Sequence, residues 1–185
     1  MPSIQVKTAA ELEATIHQLI PLSVAMGVTV ASFEEDLLTL EAPLTPNINH
    51  QMSAFGGSLS ALSALAGWGM VQLQIGKMHI VGNTVVGRSE AVFLRPVLKH
   101  LTCRCRLPND FAVFQQKLLA RGKSSVLLTT EMIEDGEIIT SQNLKVHPRM
   151  KELYKFFAYN GKVIDVTEYD EENLKIFSRE VLKMI

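Results

Sequence analysis

Between Ala42 and Gly76 the chain carries no Asp, Glu, Lys or Arg, an absence that a solvated surface helix would not tolerate. Basic runs are missing as well. The formal net charge is −1, so the electrostatic footprint by which nucleic acid is held is absent and no nucleic-acid partner is expected. Cysteine is scarce: Cys103 and Cys105 stand two apart on a strand-like run, facing the same way and poorly placed to bridge each other. His100 extends them to His-x-x-Cys-x-Cys without an evident fourth ligand, so no metal and no other cofactor is expected. The opening residues Met1 to Lys7 combine neither a basic n-region nor an apolar h-region, which leads to the expectation of a cytoplasmic protein.

What the uncharged stretch does contain falls into two parts. From Ala42 to Phe55 it is punctuated by Pro43, Pro46, Asn47 and Asn49, the composition of an ordered loop. After Gly56 and Gly57 come small and apolar residues with short hydroxyls, the composition of a helix buried on every side. A membrane span is the competing explanation for such a run. Ser58, Ser60, Ser63, Gln72 and Gln74 dilute it and no Lys/Arg cluster flanks it, so a soluble core helix is expected.

With 47% hydrophobic and 20% charged residues over 185 positions, the chain suffices for one well-buried domain and is short for two. Thr8 and Glu11 form a capping-box pattern before an apolar face of Leu12, Ile16, Leu19 and Ile20, which predicts a first helix ending at Pro21. Met26 to Phe33 and Leu37 to Ala42 read as strands around an acidic turn. Asn83 to Arg95 reads as a long strand, and Lys99 to Leu107 alternates with Leu101, Cys103, Cys105 and Leu107 on one side. Asn109 is the expected cap of a helix bearing Phe111, Phe114, Leu118 and Leu119 and stopped by Gly122. Two β-rich runs flank Asp135-Gly136, the strongest hairpin signal in the chain. Residues 1–147 are therefore read as one domain and 148–185 as an appendage, with a turn at Asn160-Gly161 and a helix from Asp170 to Ile185. The sum is an α+β plan with helices on one side of an antiparallel sheet, which if strongly curved could bury such a helix; a curved antiparallel sheet wrapped around one long buried helix is what the hotdog fold has, and the plan resembles it.

That plan, with Asn47-Ile-Asn49-His50 leading to Phe55-Gly56-Gly57-Ser58, then Ala66-Gly67-Trp68-Gly69 and Phe93-Leu94-Arg95-Pro96, resembles one family. It is the hotdog-fold thioesterase-like domain found alone or fused behind an acetyltransferase domain. The resemblance implies a homodimer or dimer of dimers, with sites between subunits, acting on a small-molecule acyl thioester of CoA or of acyl-carrier protein. It also implies site residues. In the wider group an Asn lies six residues before a His-Gly-Gly, and here Asn49 precedes Phe55-Gly56-Gly57 by that spacing. The glycine pair opens the central helix, where its N–H groups would hold the thioester carbonyl, a role that a helix N-terminus suits physically.

The chain departs from the family at two places, with Phe55 where relatives have His and Ala64 where they have a catalytic acid. The expected catalytic set is thus Asn49, His50, Gly56 and Gly57, with Phe55, Ser58, Ser89 and Glu90 toward substrate. Each has a plainer alternative. Asn49 could serve an Asx turn, His50 could be structural, Glu90 could be a solvated strand residue, and Ser58 could bond back to its helix. Arg88, Arg95, Lys99, Arg104 and Arg106 are available to phosphates or to solvent. Gly56-Gly57-Ser58-Leu59-Ser60 misses the last glycine of a nucleophile elbow, and the strand order lacks the parallel sheet of an α/β-hydrolase. Two functions stay open: hydrolysis of an acyl thioester, or its binding by a non-catalytic module.

Overall fold

The computed structural model of the chain describes residues 5–150, 156–159 and 162–165. Helix α1 (Ala9–Leu19) starts where the sequence says it should: the Glu11 amide donates to Thr8 Oγ1 at 3.2 Å, and the Thr8 amide donates back to Glu11 Oε2. Leu12 and Ile16 bury its inner face. The strand expected from Met26 to Phe33 starts later than its sequence suggests. Pro21–Met26 is helix α2, because proline at the first helical position lacks only an N–H that would be unsatisfied there anyway. Gly27 closes it at φ 69°, and strand β1 (Thr29–Glu34) begins only after that turn.

Strand β2 (Leu37–Ala42) leads through a 3-10 turn (Thr45–Asn47) to α3 (Gly56–Lys77), the 22-residue central helix. Then come β3 (Gly82–Phe93), β4 (Leu101–Arg106), α4 (Phe111–Arg121), β5 (Val126–Glu134) and β6 (Glu137–Met150). The strands form one antiparallel sheet in the order β1-β2-β4-β5-β6-β3. It is the hotdog fold: a curved sheet around α3. The β5–β6 turn has Asp135 and Gly136 both at positive φ, as a two-residue hairpin turn requires. Strand β6 runs on to Met150, and its last residues pair with the start of β3. Strands β7 (Phe156–Tyr159) and β8 (Lys162–Asp165) pair with each other; the turn at Asn160-Gly161 and the helix from Asp170 lie outside the described residues.

The inner face of the sheet reads across in register. Leu40, Cys103 and Met132 are opposite one another, as are Leu38 and Cys105, all fully or almost fully buried against α3. Close approach depends on glycine. A Cβ at Gly67 would stand 2.5 Å from Leu144 Cδ1, and one at Gly76 would overlap the backbone carbonyl of Val6. The helix also buries Gln72 with neither amide atom partnered among the described residues, which costs about 1–3 kcal/mol.

Three further features depart from the sequence reading. The cap of α4 is Asp110 rather than Asn109, and Leu119 faces solvent. Helix α3 is also not covered all round: Gly57, Ser60, Ala61, Ala64 and Trp68, three or four residues apart, form a stripe short of full burial. The sheet curves around the opposite faces and leaves this one to something else.

Candidate functional site

The segment from Pro43 to Phe55 is fixed by side-chain amides. Buried Asn47 donates from Nδ2 to the carbonyls of Met26 and Pro43, both at 2.8 Å, and its own carbonyl accepts from the Phe55 amide. Asn49 ties the loop on itself. Its Nδ2 donates to Ser53 Oγ at 3.0 Å and to the Ala54 carbonyl at 3.3 Å, while Oδ1 accepts from the amides of Gln51 and Ser53. The Ala54 amide donates to the Val97 carbonyl, which fastens the loop beside the segment leaving β3.

That loop delivers the N-terminus of α3 without a cap. Phe55 occupies the N-cap position in extended conformation, no side-chain cap bond is made among the described residues, and the first turn contains no acidic residue. Early N–H groups of a helix have no intrahelical acceptor, and the helix dipole is positive there. Glycine at 56 and 57 adds no side chain of its own beside these donors. Phe93 lies against Gly56, with ring carbons 3.6 Å from where a Cβ would be, and the Phe55 ring covers Gly57 so closely that a Cβ would displace it. A groove of about 320 Å³ opens at this point between Gln51, Ser53, Gly56 and Leu59 on one side and Phe93 to Val97 on the other.

A second groove, of about 280 Å³ and lined by apolar surface alone, follows the uncovered stripe of α3 past Ala61, Ala64, Leu65 and Trp68 to Leu22 and Val86. Ala64 is what leaves it apolar. From Gly57 to Ala64 the helix rises about 10 Å. Trp68 is held in its wall by an indole N–H donated to the Thr84 carbonyl at 3.1 Å.

Asn49, Phe55, Gly56, Gly57 and Ser58 are thus assembled around one helix end. His50 is beside them in sequence but exposed on the loop, with no hydrogen-bond partner among the described residues. Ser89 and Glu90 lie elsewhere. They are on exposed β3, three to four residues from Phe93 and so about 10–13 Å along the strand. Ser89 Oγ accepts from Gln142 Nε2 at 2.5 Å, and Glu90 pairs with Arg88 at 3.5 Å. The thiols of Cys103 and Cys105 point inward, away from His100, which is exposed and faces Glu41 at 3.5 Å. Burial pushes the Cys103 thiol up to about 12 and raises that of Cys105 further.

Sequence reasoning gave no role to Asn47, Gln51 or Trp68. Asn47 and Gln51 flank Asn49 in the same polar loop, which was a usable signal; that Trp68 faces an uncovered groove emerges only from the packing.

Residues 9–143 match the family model described as "Putative thioesterase (yiiD_Cterm)". The chain belongs to this yiiD_Cterm thioesterase family. Among solved structures, the yiiD_Cterm fold of this chain is similar to a putative thioesterase from Shewanella oneidensis, at 30% identity and TM-score 0.71 over 77% of this chain and 97% of that one. It is similar also to protein OLEI01261 of Chlorobaculum tepidum TLS, at 28% identity and TM-score 0.75 over 77% and 94% of the two chains. PA5026 of Pseudomonas aeruginosa, at 18% identity and TM-score 0.68 over 81% of this chain and 100% of that one, shares the fold. No helix among the described residues is long and apolar enough to cross a membrane.

Proposed function

We propose that this yiiD_Cterm domain hydrolyses acyl thioesters of CoA or of acyl-carrier protein. The observation that carries the reading is the uncapped Gly56-Gly57 start of α3, with one groove at Gly56 and a second, apolar one farther along the helix at Ala61, Ala64 and Trp68. The carbonyl oxygen is held by the N–H groups of Gly56 and Gly57, where the negative charge of a tetrahedral intermediate meets fixed donors and the positive helix end. The acyl chain lies along Ala61, Ala64 and Trp68, with Phe55 and Ser58 at its entrance. Water adds to the carbonyl carbon, the carbon–sulfur bond breaks, and the thiolate leaves to take up a proton. His50, the imidazole nearest the helix end in sequence, serves as general base. Asn49 acts as a positioning residue, since its amide is already committed to shaping the loop.

The working unit in this reading is a cytoplasmic homodimer or dimer of dimers. Residues 1–147 do the work and 148–185 are an appendage. Strand β3 supports the dimer: it is a twelve-residue edge strand with Val85, Val92 and Phe93 more than half exposed, the kind of edge that invites pairing with another chain. Ser89 and Glu90 would then stand at the subunit junction. Light scattering on the purified chain should give at least twice the 20.5 kDa chain mass; a monomer at micromolar concentration would remove the shared site.

A specific observation favours the binding-module alternative. Among the described residues no Asp, Glu or His lines either groove, and Ala64 stands where family resemblance expects an acid. Trp68, the one tryptophan of the chain, reports on the shared first step. Titration with acyl-CoAs of graded length should shift its emission to the blue as chains lengthen. No change at any length would refute the acyl groove for both readings.

A further inference from the structure

Four of the five cations that the sequence makes available to phosphate have acidic partners: Arg88 pairs with Glu90, Arg95 with Glu137, Lys99 with Asp135 and Arg106 with Asp36. A different set has none among the described residues. Lys117 and Arg121 of α4, Lys123, Ser124 and Ser125 of the following loop, and His147 of β6 line a cleft of about 460 Å³. No acid lines it, and none of the three cations forms an ion pair among the described residues. Asp110 stands in an adjoining smaller cavity that shares Lys117 and Ser125. The cleft lies on the outer face of the sheet. Val85 and His147 are partners across β3 and β6, and the neighbouring pair of Val86 and fully buried Val146 turns toward α3. Successive strand residues point to opposite faces, so Val85 and His147 point away from that helix.

Both walls of this cleft are built. Lys117 and Arg121 are four residues apart on one side of α4, where like charges repel. The negative C-terminal end of the helix offsets this for Arg121. It does not account for a third cation joining them from the loop. Gly122 turns the backbone at φ 66°, and the Ser124 amide donates to the Pro148 carbonyl at 3.3 Å, so Lys123 is held between α4 and β6. On the opposite wall Gly87 is the extra residue of a β-bulge between Val86 and Arg88, and a Cβ there would stand 2.6 Å from His147 Cδ2 and 2.7 Å from Nε2. The missing side chain makes the room that the imidazole occupies. Charge gathered this way is relieved by an anion with several oxygens, which the guanidinium and ammonium groups and the two hydroxyls suit as donors. No Phe, Tyr or Trp lines the cleft to stack a base, and Val85 and Pro148 are its apolar side chains, so the fitting ligand is compact rather than a nucleotide.

We propose that this cleft is a second ligand site, separate from the helix end, that takes a small molecule carrying two phosphoryl groups. Lys117 and Arg121 hold one side of the anion, Lys123 and the Ser124 and Ser125 hydroxyls the other, with His147 on the floor. The site stands whether or not the helix end turns over thioesters, because the two share no residue.

The test is calorimetric titration of the full chain with inorganic pyrophosphate at low salt, beside its Arg121→Gln/Lys123→Gln variant, two exposed positions whose change leaves the core intact. Arg104→Glu is the control, since it takes the same net charge from an exposed position on β4 outside the cleft. The wild type should bind one pyrophosphate per chain in a salt-sensitive way, and the double variant about tenfold or more weakly. Arg104→Glu should bind within about twofold of wild type, because screening confines the effect of an exposed charge. Pyrophosphate should also raise the Tm of the wild type and the control and leave that of the double variant unmoved. No wild-type binding at low salt would overturn the proposal, as would undiminished binding by the double variant. An equal loss in Arg104→Glu would reduce the effect to diffuse attraction and overturn it too. Orthophosphate binding as tightly as pyrophosphate would overturn the two-phosphoryl ligand.

Discussion

Replacing Gly56 with proline removes one backbone N–H from the start of α3 and almost nothing else. Proline is accepted in the first turn because the N–H it lacks has no helical acceptor. The residue before a proline must be extended, and Phe55 already is, at φ −66° and ψ 129°. New ring atoms meet Phe93 at ordinary contact distance, to judge from the 3.6 Å separation of a Cβ at this position. Gly56→Pro should therefore hold or raise stability, by about 0.4–1 kcal/mol through loss of freedom in the unfolded chain. Gly56→Ala is the matched control, since it adds the Cβ and keeps the N–H. If the Gly56 N–H stabilises the oxyanion, kcat/KM for an acyl-CoA should fall about 10²-fold or more in Gly56→Pro, the scale of losing one such donor. Gly56→Ala should remain within a few-fold of wild type. The assay is thiol release under kcat/KM conditions, with thermal unfolding run on the same samples. Wild-type kcat/KM in Gly56→Pro together with an undiminished Tm would refute the donor role; equal losses in both variants would trace the effect to the added carbon.

Three further outcomes follow from the packing. Cys103 and Cys105 should resist a thiol reagent at pH 8 in the native protein and react fully in guanidinium, and because burial raises both thiols, stability should decline as pH rises past their ordinary range of about 8.5; rapid native labelling would mean the β4 face is open. Gln72→Met fills nearly the same space without two orphaned polar atoms and should raise Tm by a few degrees, from about 1 kcal/mol or more; a lower Tm would show that the amide is hydrogen-bonded after all. The Glu11 carboxyl is held below the usual carboxylate range chiefly by the Lys7 amide and also by Thr8, so its stabilisation is present at neutral pH and is lost as pH falls through that lowered value. Glu11→Ala should lower Tm at pH 7 and converge with wild type in strong acid; a difference that persists there would assign the effect to something other than charge.

Much of the fold was legible because local signals agreed with the final packing. Thr8 and Glu11 marked a helix start, Asp135-Gly136 a hairpin, and an uncharged run the helix the sheet encloses. The misreading at Met26 came from taking Pro21 as a stop when it stands at a helix start. The uncovered stripe of α3 and the bulge at Gly87 were beyond the sequence, since each depends on which strand lies alongside.

Legibility of the site follows the same division. Asn49 to Gly57 is a continuous segment that leads into α3, so its order in the chain already sets it beside that helix end. The commitment of the Asn49 amide to Ser53 and Ala54 is a matter of loop geometry that spacing does not carry. Ser89 and Glu90 sit on an exposed edge strand, away from the helix end. The cleft of Lys117, Lys123 and His147 unites three elements separated in sequence, which only the topology brings together.

The central claim, that the open end of α3 turns over acyl thioesters, is tested most directly by thiol release from acyl-CoAs of graded chain length with the purified full chain. The account predicts release above the uncatalysed rate that varies with chain length as the Ala61 to Trp68 groove fills. No release at any length, from protein whose Trp68 emission still reports binding, would contradict hydrolysis and leave an acyl-thioester binding module in its place.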